Sequence, residues 1–365
     1  MIAGAIIVLV VYGSAQVIEN SDTPKSPEAG RVIVGKEVLA ITDETGEYFF
    51  KFPYGIKIGP DGSIAVKDDE QILRFDRNGK FIRNYFKKGH GPGEMTQVDD
   101  LVFTDDGHVI VHARNPSKLI WFDLNGTMEK EVVVPVRRRG VGLIGRIEKN
   151  LIFQTYENMN PWDRAGLAQI PHQLEVWNEQ TNQWTPSAGF DCVYFVARNG
   201  RTKSRMIITN MQAAILEQGL IAIGHTDEYL IKILRLSDGT IAREFRRPYK
   251  RVPLPPLTPE PKEARLNVNV KSAQMPVRRF LRDISLLQSV SGNIWAMTST
   301  RDKKKGVLVD VFDIDGIYRD AFYLKLPESA LSRRPTFRFS PTGDAVFASE
   351  ITPDETIVIK KYALK

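Results

Sequence analysis

The sequence contains a single cysteine, Cys192, among 365 residues. One thiol cannot form an intramolecular disulfide, and it excludes the cysteine clusters that hold structural zinc. Because Cys192 lies far from the N-terminus, a lipid-modified N-terminal cysteine is excluded as well. Stability must therefore come from packing, for which 42% hydrophobic and 26% charged residues are a normal globular composition.

Apolar runs of membrane-spanning length are also lacking near the N-terminus. The run Ala5–Val11 is much shorter than the roughly 20 residues that a spanning helix needs. Gly13-Ser14-Ala15 follows it with the small-x-small pattern typical of signal-peptidase sites. We therefore predict a signal peptide at 1–15, a polar leader at 16–30 and a periplasmic or secreted protein without a transmembrane segment after cleavage. The alternative for the apolar run is a buried first strand.

No segment shows the apolar periodicity of an amphipathic helix, whereas strand-like units repeat clearly along the chain. IKIGPDGSIAVKDDEQILRFDRNG begins at Ile56, and LVFTDDGHVIVHARNPSKLIWFDLNG begins at Leu101. Gly62 corresponds to Gly107, 45 residues further on. A period of roughly 40 to 50 residues with four short strands per unit is typical of propeller blades.

Turn chemistry and strand counting support six such blades. Asp-Gly and Asn-Gly turns supply the positive-φ glycine that tight hairpins need. Four further units follow, and the last, from FRFSPTG to the C-terminus, has only three strands. We expect RVIVGKEVLAIT to supply its fourth strand, because an open sheet edge is an aggregation hazard. The prediction is an all-β six-bladed β-propeller at 31–365, closed by an N-terminal strand that completes the last blade.

Two motifs carry a resemblance to a known family. They are Phe75-Asp76-Arg77-Asn78-Gly79-Lys80-Phe81 and Gly89-His90-Gly91-Pro92-Gly93-Glu94. With them the chain resembles bacterial extracytoplasmic six-bladed β-propellers related to NHL-repeat proteins. The resemblance implies the fold, and for this family a biochemical activity is generally not assigned. The glycine-rich loop is then an inter-blade crossover; a phosphate site would need a helix after it, and strand sequence follows instead.

A propeller has two faces, which we name by their loops. Crossovers from fourth to first strands and loops from second to third strands form the crossover face; the two tight turns of each blade form the hairpin face. Basic residues concentrate in loops assigned to the crossover face, where they are expected to attract an anionic partner, although solvated surface loops are an equal alternative. These residues are Lys87-Lys88, Arg137-Arg138-Arg139, Arg246-Arg247, Lys250-Arg251, Arg278-Arg279, Lys303-Lys304-Lys305 and Arg333-Arg334.

Residues that begin first strands or end second strands should line the channel mouth on that face. The predicted ligand-binding residues are Arg146, Arg282, Lys67, Arg114, Asp100 and Asp283. The sequence thus favours a non-catalytic binding platform for an anionic small molecule, a polysaccharide or a protein partner. No nucleic acid is expected as a partner, since a signal peptide would remove the chain from cytoplasmic RNA.

The alternative is a metal-dependent propeller hydrolase or lyase with its site at the same mouth. Calcium takes oxygen ligands and zinc takes histidine or carboxylate ligands. The alternative ligand set is His112, His225, Asp100 and Asp283, although Arg146 and Arg282 would repel a cation there. Our main prediction is that no metal or other cofactor is bound.

One insertion interrupts the repeat between blades 4 and 5. Residues 248–280 contain seven prolines, and proline at this density favours an extended chain that cannot join a β-ladder. A flap, a docking arm and an inter-blade loop all remain open for this segment.

Overall fold

A computed structural model of the chain describes residues 16–43, 46–134, 139–156, 166–199, 202–254, 279–331 and 336–365. Several sequence predictions lie outside these residues: the signal peptide, Arg137 and Arg138, residues 255–278 of the insertion, and Arg333 and Arg334. The described residues form strands, turns and one 3-10 helical turn at Glu328–Leu331. None of the helical segments in these ranges has the length and apolar character of a membrane span.

The first two strands precede the blades. They are β1 (Ile18–Glu19) and β2 (Arg31–Ile41). Blade 1 contains β3 (Pro53–Ile58), β4 (Ile64–Asp68), β5 (Gln71–Phe75) and β6 (Phe81–Asn84). Blade 2 contains β7 (Gln97–Phe103), β8 (His108–Arg114), β9 (Lys118–Asp123) and β10 (Met128–Val133). Blade 3 contains β11 (Arg139–Ile147), β12 (Asn150–Tyr156), β13 (Gly166–Asn178), β14 (Gln183–Asn199) and β15 (Thr202–Ile207).

The second half of the chain repeats the same plan. Blade 4 contains β16 (Met211–Ile215), β17 (Leu220–His225), β18 (Leu230–Arg235) and β19 (Ile241–Arg246). Blade 5 contains β20 (Ile284–Val290), β21 (Asn293–Asp302), β22 (Gly306–Phe312) and β23 (Tyr318–Lys325). Blade 6 contains β24 (Phe337–Phe339), β25 (Ala345–Ile351) and β26 (Ile357–Leu364).

Consecutive strands within each blade pair antiparallel, and the first strands surround a central channel. The inner strands contact one another in the order β3, β7, β11, β16, β20, β24 and back to β3, so the blades form a ring. Second strands are sandwiched between neighbouring blades, and every residue of β4 is buried. The outer strand β6 instead alternates between half-buried and exposed residues, as expected for a strand with one solvated face.

The predicted hairpin turns are confirmed by their backbone geometry. Gly62, Gly79, Gly107 and Gly126 have φ of 80°, 82°, 81° and 79°. This left-handed region is readily accessible to glycine, so these residues set the strand register in blades 1 and 2.

The N-terminal segment runs along three blades. Strand β1 pairs in parallel with β19, and the amides of Lys25 and Ser26 donate to the carbonyls of Tyr318 and Arg319 in β23. Strand β2 then pairs in parallel with β23 and, from Gly35 to Ile41, antiparallel with β26. Residues 16–30, predicted to be a separate leader, therefore lie against the outer edges of blades 4 and 5 as part of the propeller. We call them the N-terminal strap.

Extra sequence in two places is built onto this frame. In blade 3 the residues beyond the repeat extend β13 and β14 and add β15 as a fifth strand. The proline-rich insertion begins and ends at a closed neck, where Pro253 bridges Phe280 and the Leu254 amide donates to the Arg279 carbonyl.

Candidate functional site

The internal repeat places two basic residues at the same position of neighbouring inner strands. Lys57 lies in IKIGPDG and Arg338 in FRFSPTG, each three residues before the proline of the next turn. Strands β3 and β24 contact each other in the ring. Both side chains consequently line one cavity of the central channel.

This cavity, which we call the channel cavity, has a volume of about 320 Å³. Its wall is formed by Lys57, Ile58, Pro60, Val102, Phe103, Asp105, Ile144, Gly145, Arg146, Ile215, Arg338 and Pro341. Five inner strands contribute to it, together with the turns after β3, β7 and β24. Because those turns belong to the hairpin face, the cavity lies at the hairpin end of the channel.

The electrostatics of the channel cavity are set by one uncompensated cation. The Lys57 ammonium lies 3.4 Å from the Asp100 carboxylate, and both side chains are largely buried. The Arg338 guanidinium, by contrast, makes no hydrogen bond or ion pair within the described ranges. Burial lowers the pKa of Arg338, and Asp100 opposes this shift from a distance. Arginine nevertheless stays protonated at neutral pH, so a positive charge faces the cavity without a partner.

Arg146 also lines the channel cavity, but not where the sequence analysis placed it. We expected it at the crossover-face mouth; it lies at the hairpin end of β11. There it donates to Glu179 at 2.7 Å and to Asp106 at 2.8 Å. We had taken Arg146 to begin the first strand of its blade, but β11 begins at Arg139, so Arg146 is near the end of the strand.

Lys67 and Arg114, two further predicted ligand-binding residues, both interact with Asp99. The Lys67 ammonium donates to the Asp99 carbonyl and lies 4.3 Å from the centre of the Tyr54 ring. Arg114 forms an ion pair with the Asp99 carboxylate. Burial lowers the pKa of Lys67. At the crossover end of the channel, Lys67 thus connects blade 1 to blade 2, whereas Arg114 pairs with Asp99 within blade 2.

Arg282 and Asp283 lie between blades 4 and 5, on another side of the ring. Asp283 accepts a hydrogen bond of 2.9 Å from Arg251, which also binds Asp227 at 3.0 Å. Of the six predicted ligand-binding residues, the structure brings only Arg146 and Asp100 to the channel cavity, Asp100 through its ion pair with Lys57.

The alternative metal set is not brought together either. His112 is buried beside Ser117, 3.0 Å from Nε2, and burial lowers its pKa to about 4. His225 packs against Phe190 in another blade interface. Over the part of the chain that the structure describes, no three histidine, cysteine or carboxylate residues form a group that could hold a metal ion.

Part of the predicted basic surface is paired with acidic residues of the same chain. Lys87 and Lys88 bind Glu94 and Glu70, each at 2.8 Å. Arg246 binds Glu19 at 2.6 Å, and Arg247 is buried against Asp310. The first three pairs lie at the surface, and only the Arg247 pair lies in the interior.

A larger groove of about 810 Å³ lies between blades 3 and 4 on the hairpin face. Its polar side chains are mostly neutral, and some bond to one another, as Asn178 does to Asn150 at 2.8 Å. Arg338, a half-buried charge without a partner among the described residues, is the more specific feature, and it distinguishes the channel cavity.

Sequence analysis missed Lys57 and Arg338, although a signal was present. When the blades are aligned on their turns, Lys57 and Arg338 occupy one position, where blade 2 has Val102. Two basic residues at an inner-strand position of adjacent blades predict a cationic channel wall. We had selected candidate site residues only at strand ends, and these lie at the channel mouth rather than along the channel wall.

Comparison with known proteins agrees with the architecture. The DUF5128 family model, described as a 6-bladed β-propeller, matches residues 46–182. This range holds blades 1 and 2 and the first three strands of blade 3. Among curated proteins, no sequence matches this chain.

Solved structures resemble the chain in fold alone. A protein described as exported, from Bacteroides fragilis, is 10% identical with a TM-score of 0.54, over 96% of this chain and 99% of its own. A member of the DUF4221 family from Bacteroides vulgatus is 11% identical with a TM-score of 0.51, over 91% of this chain and 98% of its own. A gluconolactonase from Xanthomonas campestris is 10% identical over 93% of this chain and 99% of its own, but its TM-score of 0.48 supports no inference about activity. The chain is a six-bladed β-propeller.

Proposed function

We propose that this propeller is a periplasmic or secreted, non-catalytic binding protein that holds a small organic anion in the channel cavity. The observation that carries the proposal is Arg338, a half-buried guanidinium that faces the cavity and has no partner among the described residues. Removing a charge from water without a counterion is costly, so we expect a ligand to compensate it. The location rests on the predicted signal peptide.

The shape and chemistry of the cavity favour binding. Ligand sites are concave, mainly apolar and equipped with a few converging polar groups. Eight of the twelve wall residues are apolar or glycine, and three of the other four are cationic. The wall residues with a proton to exchange are Lys57, which is paired with Asp100, and Asp105, which is exposed at the rim. Neither is arranged as a general base next to a nucleophile, so binding is the function that this geometry supports best.

The test is a thermal-shift and calorimetric titration of the mature chain with benzoate, hexanoate, phenyl phosphate and terephthalate. A ligand that binds only the folded state raises the midpoint, by an amount equivalent to about 2.7 kcal/mol at 100 times its Kd. We expect at least one of these anions to bind the parent and to lose binding in Arg338→Met. Lys304→Gln, which removes an exposed cation from the crossover face, is the matched control and should bind like the parent.

Two results would refute the proposed function. One is that none of the four anions binds the parent chain. The other is that Arg338→Met and Lys304→Gln bind an anion with the same affinity, which would place the site elsewhere.

A further inference from the structure

We infer that the channel cavity selects a monocarboxylate with an apolar body over dianions and phosphate esters. This inference rests on the proposed function and names its ligand class. It follows from the charge balance of the wall, the geometry of the guanidinium group and the residue at the rim.

The pairing of the wall cations leaves one of them free. Lys57 is paired with Asp100, and Arg146 with Glu179 and Asp106. Of the three cations in the wall, Arg338 alone has no such partner among the described residues. One carboxylate on the ligand would pair with Arg338, whereas a second buried negative charge would itself lack a partner.

The shape of the guanidinium group favours a carboxylate. Its planar fork of N–H donors matches the two oxygens of a carboxylate in a bidentate arrangement. A phosphate monoester also fits a fork, but it carries close to two negative charges near neutral pH and would exceed the single free charge of Arg338.

The remaining wall requires an apolar body of limited size. Behind the cations lie Ile58, Val102, Phe103, Ile144 and Ile215. A cavity of 150 Å³ that accepts benzene implies roughly 25 Å³ per non-hydrogen atom, so about a dozen such atoms fill the volume available here. Benzoate and phenylacetate have this size, and larger oligomeric anions exceed it.

Asp105, at the rim of the cavity, selects against a second negative charge on the ligand. It belongs to the wall, lies in the turn after β7 and is exposed. A second carboxylate on a ligand end that reaches this rim would meet the Asp105 carboxylate. The rim therefore prefers a ligand whose outer end is neutral.

The experiment compares matched probes by isothermal titration calorimetry on the full mature chain. Benzoate and phenylacetate are the monocarboxylates, benzamide is the neutral isostere, and terephthalate and phenyl phosphate carry the extra charge. Because a hydrogen bond to a charged group contributes about 1.5–3 kcal/mol, we expect benzamide to bind at least about tenfold more weakly than benzoate. Terephthalate and phenyl phosphate should also bind more weakly than benzoate.

Two variants test which residues select the ligand. Arg338→Lys keeps the charge but loses the fork, so benzoate should bind several-fold more weakly than to the parent. Asp105→Asn should raise the affinity for terephthalate several-fold more than the affinity for benzoate. Lys304→Gln should change neither affinity.

The outcomes separate this inference from the proposed function. If phenyl phosphate or terephthalate binds the parent more tightly than benzoate and loses binding in Arg338→Met, the monocarboxylate inference is overturned while anion binding stands. Equal affinities for benzamide and benzoate, or an Asp105→Asn variant that leaves terephthalate affinity unchanged, also overturn it. If no anion depends on Arg338, both proposals fail.

Discussion

At the scale of single residues, Arg338 stands out because it is expected to lower the stability of the fold that carries it. Its neighbours in the wall are mostly apolar, and its charge has no counterion within the described part of the chain. Most charged residues near the channel have one, as Lys57 and Arg146 do. A residue retained at a cost to stability is expected where function requires it.

The first prediction is that Arg338→Met stabilises the unliganded chain. An apolar side chain of similar length removes the desolvation cost of the charge, and we expect the free energy of unfolding to rise by about 1 kcal/mol or more. Urea denaturation without added anion measures it, with Lys304→Gln as a control that should stay within about 0.5 kcal/mol of the parent. A destabilised Arg338→Met would indicate a structural role instead.

A second prediction at this scale concerns His172. The ring is buried beside Tyr194, whose hydroxyl lies 2.7 Å from Nε2, and burial lowers the His172 pKa to about 4. An unfolded histidine titrates near 6.5, so the unfolded chain binds the proton first as the pH falls. Stability should therefore decrease from about pH 6.5 down to about pH 4, by up to about 3 kcal/mol for this group.

Chemical denaturation at a series of pH values tests the His172 prediction. His172→Gln should reduce the loss of stability between pH 6.5 and pH 4. Part of the loss remains in this variant, because the pKa of His112 is also lowered to about 4 and this residue contributes a similar amount. An unchanged slope in His172→Gln would show that this ring does not titrate as expected.

At the scale of elements, neighbouring blades are joined by buried polar clusters as well as by apolar cores. Between blades 4 and 5, Asp310 on β22 is fully buried and accepts from Arg247, at 2.6 Å and 3.0 Å, and from the hydroxyl groups of Tyr229 and Tyr318. The Arg247 guanidinium also lies about 5 Å from the rings of Tyr229 and Tyr318 (4.8 Å and 5.2 Å). This cluster holds the end of β19 just before the proline-rich insertion.

The third prediction is that Asp310→Asn strongly destabilises this interface. Removing one partner of a buried ion pair leaves the other charge uncompensated, at a cost of about 3–5 kcal/mol. Asp315→Asn is the matched control, because it breaks the exposed pair that Arg243 and Asp315 form at 2.7 Å between the same blades. Exposed pairs contribute less than about 1 kcal/mol. Similar losses in the two variants, measured by urea denaturation, would contradict the prediction.

At the scale of the whole molecule, the N-terminal segment fastens the ring from outside. The strap runs from β19 to β23, and β2 continues from β23 to β26, so one segment bonds to three consecutive blades. Strand edges that pair with it are no longer open to other chains. Edge strands β6 and β10 of blades 1 and 2 have no such partner in the described chain.

The fourth prediction concerns deletion of the strap. A chain that starts at residue 31 keeps β2 but loses the bonds of β1, Lys25 and Ser26, and at about 1 kcal/mol per hydrogen bond it should lose several kcal/mol of stability. The exposed edge of β19 and of the first residues of β23 should also promote aggregation, which light scattering during heating detects. A chain that starts at residue 16 is the control. Equal midpoints and equal scattering for the two chains would show that the strap is dispensable.

The sequence by itself determined the architecture. Gly62 and Gly107 set hairpins 45 residues apart, and the alternating strands between such turns specify blades, because turn conformation and side-chain alternation depend on neighbours in the chain. Even the shared position of Lys57 and Arg338 can be read from the aligned repeat. Local interactions suffice for all of these features.

Only the tertiary structure decided which charges remain free. Lys87, Lys88 and Arg247 look alike in the sequence, yet each meets a carboxylate in the fold, whereas Arg338 meets none within the part of the chain that the structure describes. Arg146 and its partner Asp106 are 40 residues apart, and they meet because blades 2 and 3 pack side by side. Ion pairing depends on distances of a few ångströms between strands of different blades, and these distances are set only once the ring is assembled.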